Sequence, residues 1–304
     1  NNEFNSDAAS LSVDLSEARQ AVKENRFQDA LDLFEIILET DPDHIDSLYL
    51  ASVSSRYLKK FDESTKYIER LLFVAPDMGR AYQELGHIHR DTGNLAKAAI
   101  HYRQACELNP ALLASWNSLY KYFVERKNKP AVDHAREQIE KLQSLPPALL
   151  YIDQIMNEGR LGIAETQCRA FLKKNPTPTY AMSLLSEIAN RLGYFDDAEF
   201  LLEKAVEFEP KDGELRMKYA QILRKKQKFA KTMEQVNILC DQYPDNHTYQ
   251  AQKASEVMQN GGHEEAIKLL DNILEKNPYN FSTFTSKGHA QKTLGHTDQA
   301  IHSY

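Results

Sequence analysis

The chain has 304 residues, 42% of them apolar and 27% charged, with a net charge of −7. That balance is ordinary for a folded protein, and the acidic excess argues against nucleic acid, whose binders carry surplus cations to displace phosphate counterions. Cys106, Cys168 and Cys240 stand too far apart for a disulfide framework or a metal-ligand set and indicate a reducing compartment, the cytoplasm; apolar runs such as 71–75 are far too short to span a membrane.

Residues 1–10 are polar, have no signal-peptide core, and are expected to be disordered or tag-like. Beyond them the prolines set a period. Pro42, Pro76 and Pro110 fall 34 apart, and so do Pro176, Pro210, Pro244 and Pro278. Proline stops helices, so the comb predicts a helical unit of 34 residues. With the comb proline as position 32, position 15 is Asn25, Gly93, Gly159, Gly193, Gly261 and Gly295 in six units. Such residues accept the left-handed conformation that closes a helix, and each unit reads as helix, tight turn, helix. Asp43, Asp77, Thr177, Asp212, Asn246 and Asn280 are expected to cap the helix that follows.

In chain order, the first unit shows Ala30, Phe34 and Ile37 at helical spacing, the third Ala98, Tyr102 and Ala105, and the eighth Ala266, Leu270 and Ile273. Position 8 must be small for two helices to approach, and the chain supplies Ala18, Ser52, Gly86, Ser186, Ala220, Ala254 and Gly288. Tyr120 and Ile152 break this rule in adjacent units. There the comb also slips, Pro110 to Pro176 being 66 residues, and Pro130, Pro146 and Pro147 cluster. The spacing predicts an irregular joint near 120–155, with repeats 1–4 over 11–144 and repeats 5–9 over 145–304. The whole chain reads as all-α, with seventeen or eighteen helices.

The third unit, with Tyr82, Leu85, Gly86, His89, Ala98, Tyr102, Ala105 and Pro110, resembles the tetratricopeptide-repeat pattern W-x2-L-G-x2-Y…A-x3-F…P. So do Leu185, Ser186, Ala198, Leu202, Ala205 and Pro210 in the sixth, Phe284, Gly288, Ala300 and Tyr304 in the ninth, and Trp116, which takes the family's tryptophan position in the fourth. The resemblance covers roughly 11–304 and implies an α-solenoid, a right-handed superhelix of eight full repeats and a partial ninth. It implies a scaffold that binds a protein partner in a concave groove lined by first helices, with no cofactor, metal or catalytic residue.

The family's groove positions are 2, 5, 9, 12 and 13. Here they include Tyr49, Arg56, Tyr57, Arg80, His87 and Arg90 in repeats two and three, and Tyr180, Arg191, Met217, Arg224 and Lys225 in repeats six and seven. The set leans basic and aromatic, which suits an acidic peptide, although Asp46, Asp91, Glu187 and Glu214 share these positions. The clamp of chaperone-binding members is not reproduced at any offset. His87 and His89 point to different sides of one helix and are not expected to share a metal; the cysteines read as core thiols. Three stretches, 168–174, 197–203 and 288–295, are similar to the repeat region of bacterial tetratricopeptide-repeat sulfotransferases. That likeness implies the alternative of a substrate-recruiting part of a longer protein whose donor-binding domain is absent here.

Overall fold

A computed structural model describes residues 6–175 and 179–304, with side chains from residue 15 onward. Residues 1–5 and the predicted breaks at Pro176 and Thr177 lie outside the described residues. Among the latter there are eighteen α-helices and no strand. They pair into nine hairpins: α1 (Ser6–Lys23) with α2 (Phe27–Thr40), α3 (Ile45–Tyr57) with α4 (Phe61–Val74), α5 (Gly79–Asp91) with α6 (Leu95–Leu108), α7 (Leu113–Glu125) with α8 (Lys129–Gln143), and α9 (Pro147–Asn157) with α10 (Leu161–Lys174). The rest are α11 (Thr179–Arg191) with α12 (Phe195–Phe208), α13 (Gly213–Lys225) with α14 (Phe229–Gln242), α15 (His247–Gln259) with α16 (His263–Lys276), and α17 (Phe281–Thr293) with α18 (Thr297–Ser303). Helix α1 begins at Ser6, so residues 6–10 extend the first helix into the stretch expected to be disordered.

Every hairpin turns through a left-handed residue at position 15. Asn25 and the five glycines there have φ between +59° and +85°, and the same conformation occurs at Lys59, Lys127 and Gln227, which supply position 15 in the other three repeats. Position 8 is as confined as its size pattern demands. A Cβ on Gly86 would lie 2.5 Å from the Tyr102 ring, and Ser52 fits by bonding Ser64 Oγ at 2.9 Å. Ala98 and Ala198 are buried opposite.

The helix starts correct part of the sequence reading. Asp212, Asn246 and Asn280 cap α13, α15 and α17 by accepting from backbone amides. Asp43 and Asp77 do not cap: α3 is capped by His44, whose Nδ1 accepts from the Ser47 amide, and α5 has Met78 at its cap position, with no side-chain cap. The capping position is 34, and these two aspartates stand one residue too early. Pro130 and Pro147 sit in the first turn of α8 and α9, where a missing N–H costs nothing. Around them the lengths depart from the usual thirteen and fourteen residues: α8 has fifteen and α9 eleven.

The chain divides into two compact units, the first ending at Ala164 and the second beginning at Glu165, inside α10. The position 144/145 expected as a boundary lies within the first. In the first unit the core runs from hairpin to hairpin: Leu48 of α3, Ile68 and Leu71 of α4, and Ala81 and Ile88 of α5 form one cluster, and Ala98, Tyr102 and Cys106 of α6 pack with Leu119 of α7. The second unit repeats the scheme, with Ala198, Leu202 and Ala205 of α12 against Leu215, Tyr219 and Leu223 of α13, and Ala254, Val257, Ala266, Leu270 and Ile273 joining α15 to α16. In these clusters apolar residues of one hairpin are buried against its neighbour or its own second helix.

Candidate partner-binding faces

First helices also touch one another: α1 with α3, α3 with α5, α5 with α7 in the first unit, and α15 with α17 in the second. The predicted groove residues stand on first helices. In the first unit they take part in a chain of ion pairs. Arg56 is buried and donates to Glu84 at 2.5 Å and to Asp91 at 3.1 Å, and Asp91 also takes Arg90 at 2.8 Å. Burial pushes the Glu84 carboxyl above its usual range against the pull of Arg56. Asp46 holds Arg19 at 2.5 Å. Arg80 lies 4.9 Å above the Tyr49 ring and pairs with Glu158, from the turn after α9. Tyr57 stands at the end of α3, stacked on Phe27 at 4.3 Å with its outer side exposed.

The histidines go to different neighbours. His87 shares a hydrogen bond of 2.7 Å with the Tyr102 hydroxyl, and burial, aided by Arg56 and Arg90, lowers its pKa to about 4. His89 stacks on His101 at 5.1 Å. Among the described residues no three of His, Cys, Asp and Glu are grouped to hold a metal. Cys106, Cys168 and Cys240 are all buried, and burial pushes the first two thiols up to about 12 and about 11. A thiol so raised is a poor nucleophile. Trp116 is a packing residue: its ring lies edge-on to His134 at 5.5 Å, and Nε1 donates to the Pro110 carbonyl.

One cavity in the first unit lies between the third hairpin and α7. Leu95, Ala98, Ala99 and Tyr102 line it together with Ser118 and Tyr122, while Arg90, Lys121 and Glu125 stand at its rim; its volume is about 200 Å³. Lys121 is exposed, and Arg90 is more than one-third exposed, its side chain at 44%. The position rule that gave Arg90 also gives Lys121, at position 9 of the fourth repeat. The apolar floor was not legible, because it comes from α6 and is uncovered by how α7 packs.

In the second unit Arg224 pairs with the almost fully buried Glu256, Arg191 with Glu187 at 2.8 Å, and Lys225 with the Asn190 amide oxygen at 2.7 Å. Tyr180 and Met217 are half-buried. Lys226 and Lys228 converge on Glu199, a cluster the groove positions do not include. The counter-ions Glu84, Glu158 and Glu256 are what sequence reasoning missed; two of them lie 28 and 32 residues from their arginines, an offset that adjacent repeats bring into contact.

Residues 79–112, which are α5 and α6 with their flanking turns, match the family model described as Tetratricopeptide repeat, and residues 180–212, over α11 and α12, match a second model of the same description. Two of the nine hairpins, the third and the sixth, are thus matched as tetratricopeptide repeats. Both matches fall on the two hairpins whose spacing follows the pattern most fully, and neither extends the sulfotransferase likeness. The chain is similar to the solved structure of MamA, at 16% identity and a TM-score of 0.45 over 50% of this chain and 89% of that one. It is also similar to the MamA RS-1 ArsTM double mutant (10%, 0.45, 53% and 92%) and to the APC/C hetero-tetramer Cut9–Hcn1 (15%, 0.42, 91% and 55%). No curated protein matches the array. No described helix is long and apolar enough to cross a membrane.

Proposed function

We propose that this tetratricopeptide array is a protein-interaction scaffold that receives an acidic segment of a partner along its first helices, with the cavity between α5–α6 and α7 as an anchor point. The observation that carries this reading is the cavity itself. An apolar floor of Leu95, Ala98 and Tyr102 lies beneath a rim that bears Arg90 and Lys121. An apolar side chain entering it loses contact with water, while a neighbouring carboxylate meets the two cations. Glu125 on the same rim favours a segment whose acidic residue sits on the Arg90–Lys121 side. Polar and aromatic groups on paired helices suit recognition of a partner segment.

Panning a randomised peptide library against the full chain tests the proposal. The expected peptides carry an apolar residue beside Asp or Glu, and changing Arg90→Glu together with Lys121→Glu lowers their affinity at least tenfold. Both side chains are on the surface, so the variant keeps its fold, checked by circular dichroism. Peptides without that pattern, or affinity indifferent to the double change, contradict the proposal.

A further inference from the structure

The turn from α9 to α10, Glu158–Gly159–Arg160, rests on first helices that are not its neighbours. Ion pairs such as Arg56–Glu84 and Arg224–Glu256 join adjacent repeats. Arg80–Glu158 skips one repeat, and Arg160–Asp46, at 3.9 Å, skips two. Helix α9 is held in this position by Gln154, whose side chain donates to the Ala111 carbonyl at 3.0 Å while its own carbonyl accepts from Asn109 at 3.1 Å. Helices α8 and α9, with their altered lengths and the proline pair 146–147, bring the turn there. The contacts of this turn and of Gln154 all lie within the first unit.

We infer that the Tyr49–Arg80 cradle is a carboxylate-binding site, that Glu158 is its resident occupant, and that an acidic segment of a partner protein binds there by displacing the α9–α10 turn. The inference rests on the scaffold reading and adds a second, self-occupied site to it. The cradle is built for a carboxylate. Tyr49 supports one face of the guanidinium, which fixes its plane, and the remaining edge meets two oxygens: Nη2 donates to Oε2 at 2.6 Å, and Nε lies against Oε1 as an ion-pair contact without hydrogen-bond alignment. The Glu158 side chain is only 3% exposed there.

Exchange is easier than opening. Withdrawing Glu158 alone leaves Arg80 without its counter-charge beside a partly buried ring, which is costly; replacing Glu158 by another carboxylate keeps the pair and returns Glu158 to water, which is nearly balanced. The second contact is no lock. Arg160 reaches Asp46 only at 3.9 Å, and Asp46 already has Arg19 at 2.5 Å, so releasing Arg160 leaves Asp46 paired.

The test uses the full chain and a fluorescent, N-acetylated hexaglutamate amide, read by anisotropy at 0.15 M salt. Glu158→Gln is expected to bind it at least tenfold more tightly than the natural sequence, and Arg80→Gln added to Glu158→Gln removes the gain. Hydrogen exchange on the unaltered chain gives an independent reading: saturating peptide speeds exchange at 158–164. No binding to either chain, no gain in Glu158→Gln, a gain that survives Arg80→Gln, or unchanged exchange at 158–164 on a saturated chain overturns the inference. Each of these leaves the Arg90–Lys121 cavity and its peptides untouched, so the two claims fail separately.

Discussion

His87 stands between Arg56, Arg90 and the Tyr102 hydroxyl, and its proton affinity follows from that setting. Burial is the main cause of its low pKa, and both arginines add to it, while Asp91 opposes. The unfolded chain takes up a proton near pH 6.5, the folded one only near pH 4. The neutral ring therefore gives its full contribution above pH 6.5, and stability is lost as pH falls from there to about 4. One pKa unit corresponds to about 1.4 kcal/mol, and with the ring only half-buried the loss is on the order of 2 kcal/mol. His87→Gln keeps a partner for Tyr102 and does not titrate, so its urea stability should change less with pH over this window; a slope equal to that of the natural chain contradicts the assignment. At this scale the sequence showed which residues share a face but not their surroundings. Arg56 was legible as a groove position, yet it is buried, because Glu84 and Asp91 arrive from the next repeat.

The hairpin is the element whose rules read most cleanly from sequence. Glycine or asparagine marked position 15 in six repeats, and the fold imposes the same left-handed turn on Lys59, Lys127 and Gln227. Those three were hidden because side-chain type reveals the conformation only when the residue prefers it. A non-glycine residue there is strained by roughly 1–2 kcal/mol, offset in part by the extra freedom that glycine brings to the unfolded chain. Gln227→Gly, with φ +58° and a position open to solvent, is therefore expected to stabilise by about 0.5–1 kcal/mol, raising the urea midpoint at constant slope. A lowered midpoint would show that the side chain contributes more than its backbone costs. The proline comb and the small position 8 point to an irregular joint near 120–155, but no repeat position reveals that the turn after α9 lies on Arg80 and Asp46, because that contact joins hairpins that are not neighbours in the chain.

At the scale of the whole molecule, each core cluster is shared between a hairpin and the helix beside it, and stability is a sum over neighbours. A globular fold concentrates its stability in one centre; this array distributes it along the chain. The fold class was legible because a 34-residue comb admits few alternatives. The partner was not, because the cavity and the ion pairs on which the proposed recognition rests arise only when repeats stack.

Leu270→Ala with hydrogen exchange followed by mass spectrometry tests this neighbour-by-neighbour account most directly. Leu270 is 1% exposed in the cluster that joins α15 to α16, and its truncation costs about 2–5 kcal/mol at the site. The account predicts lost protection in α15, α16 and the helices next to them, with α2 to α6 exchanging as before. Protection falling equally through α2 to α6 would contradict it.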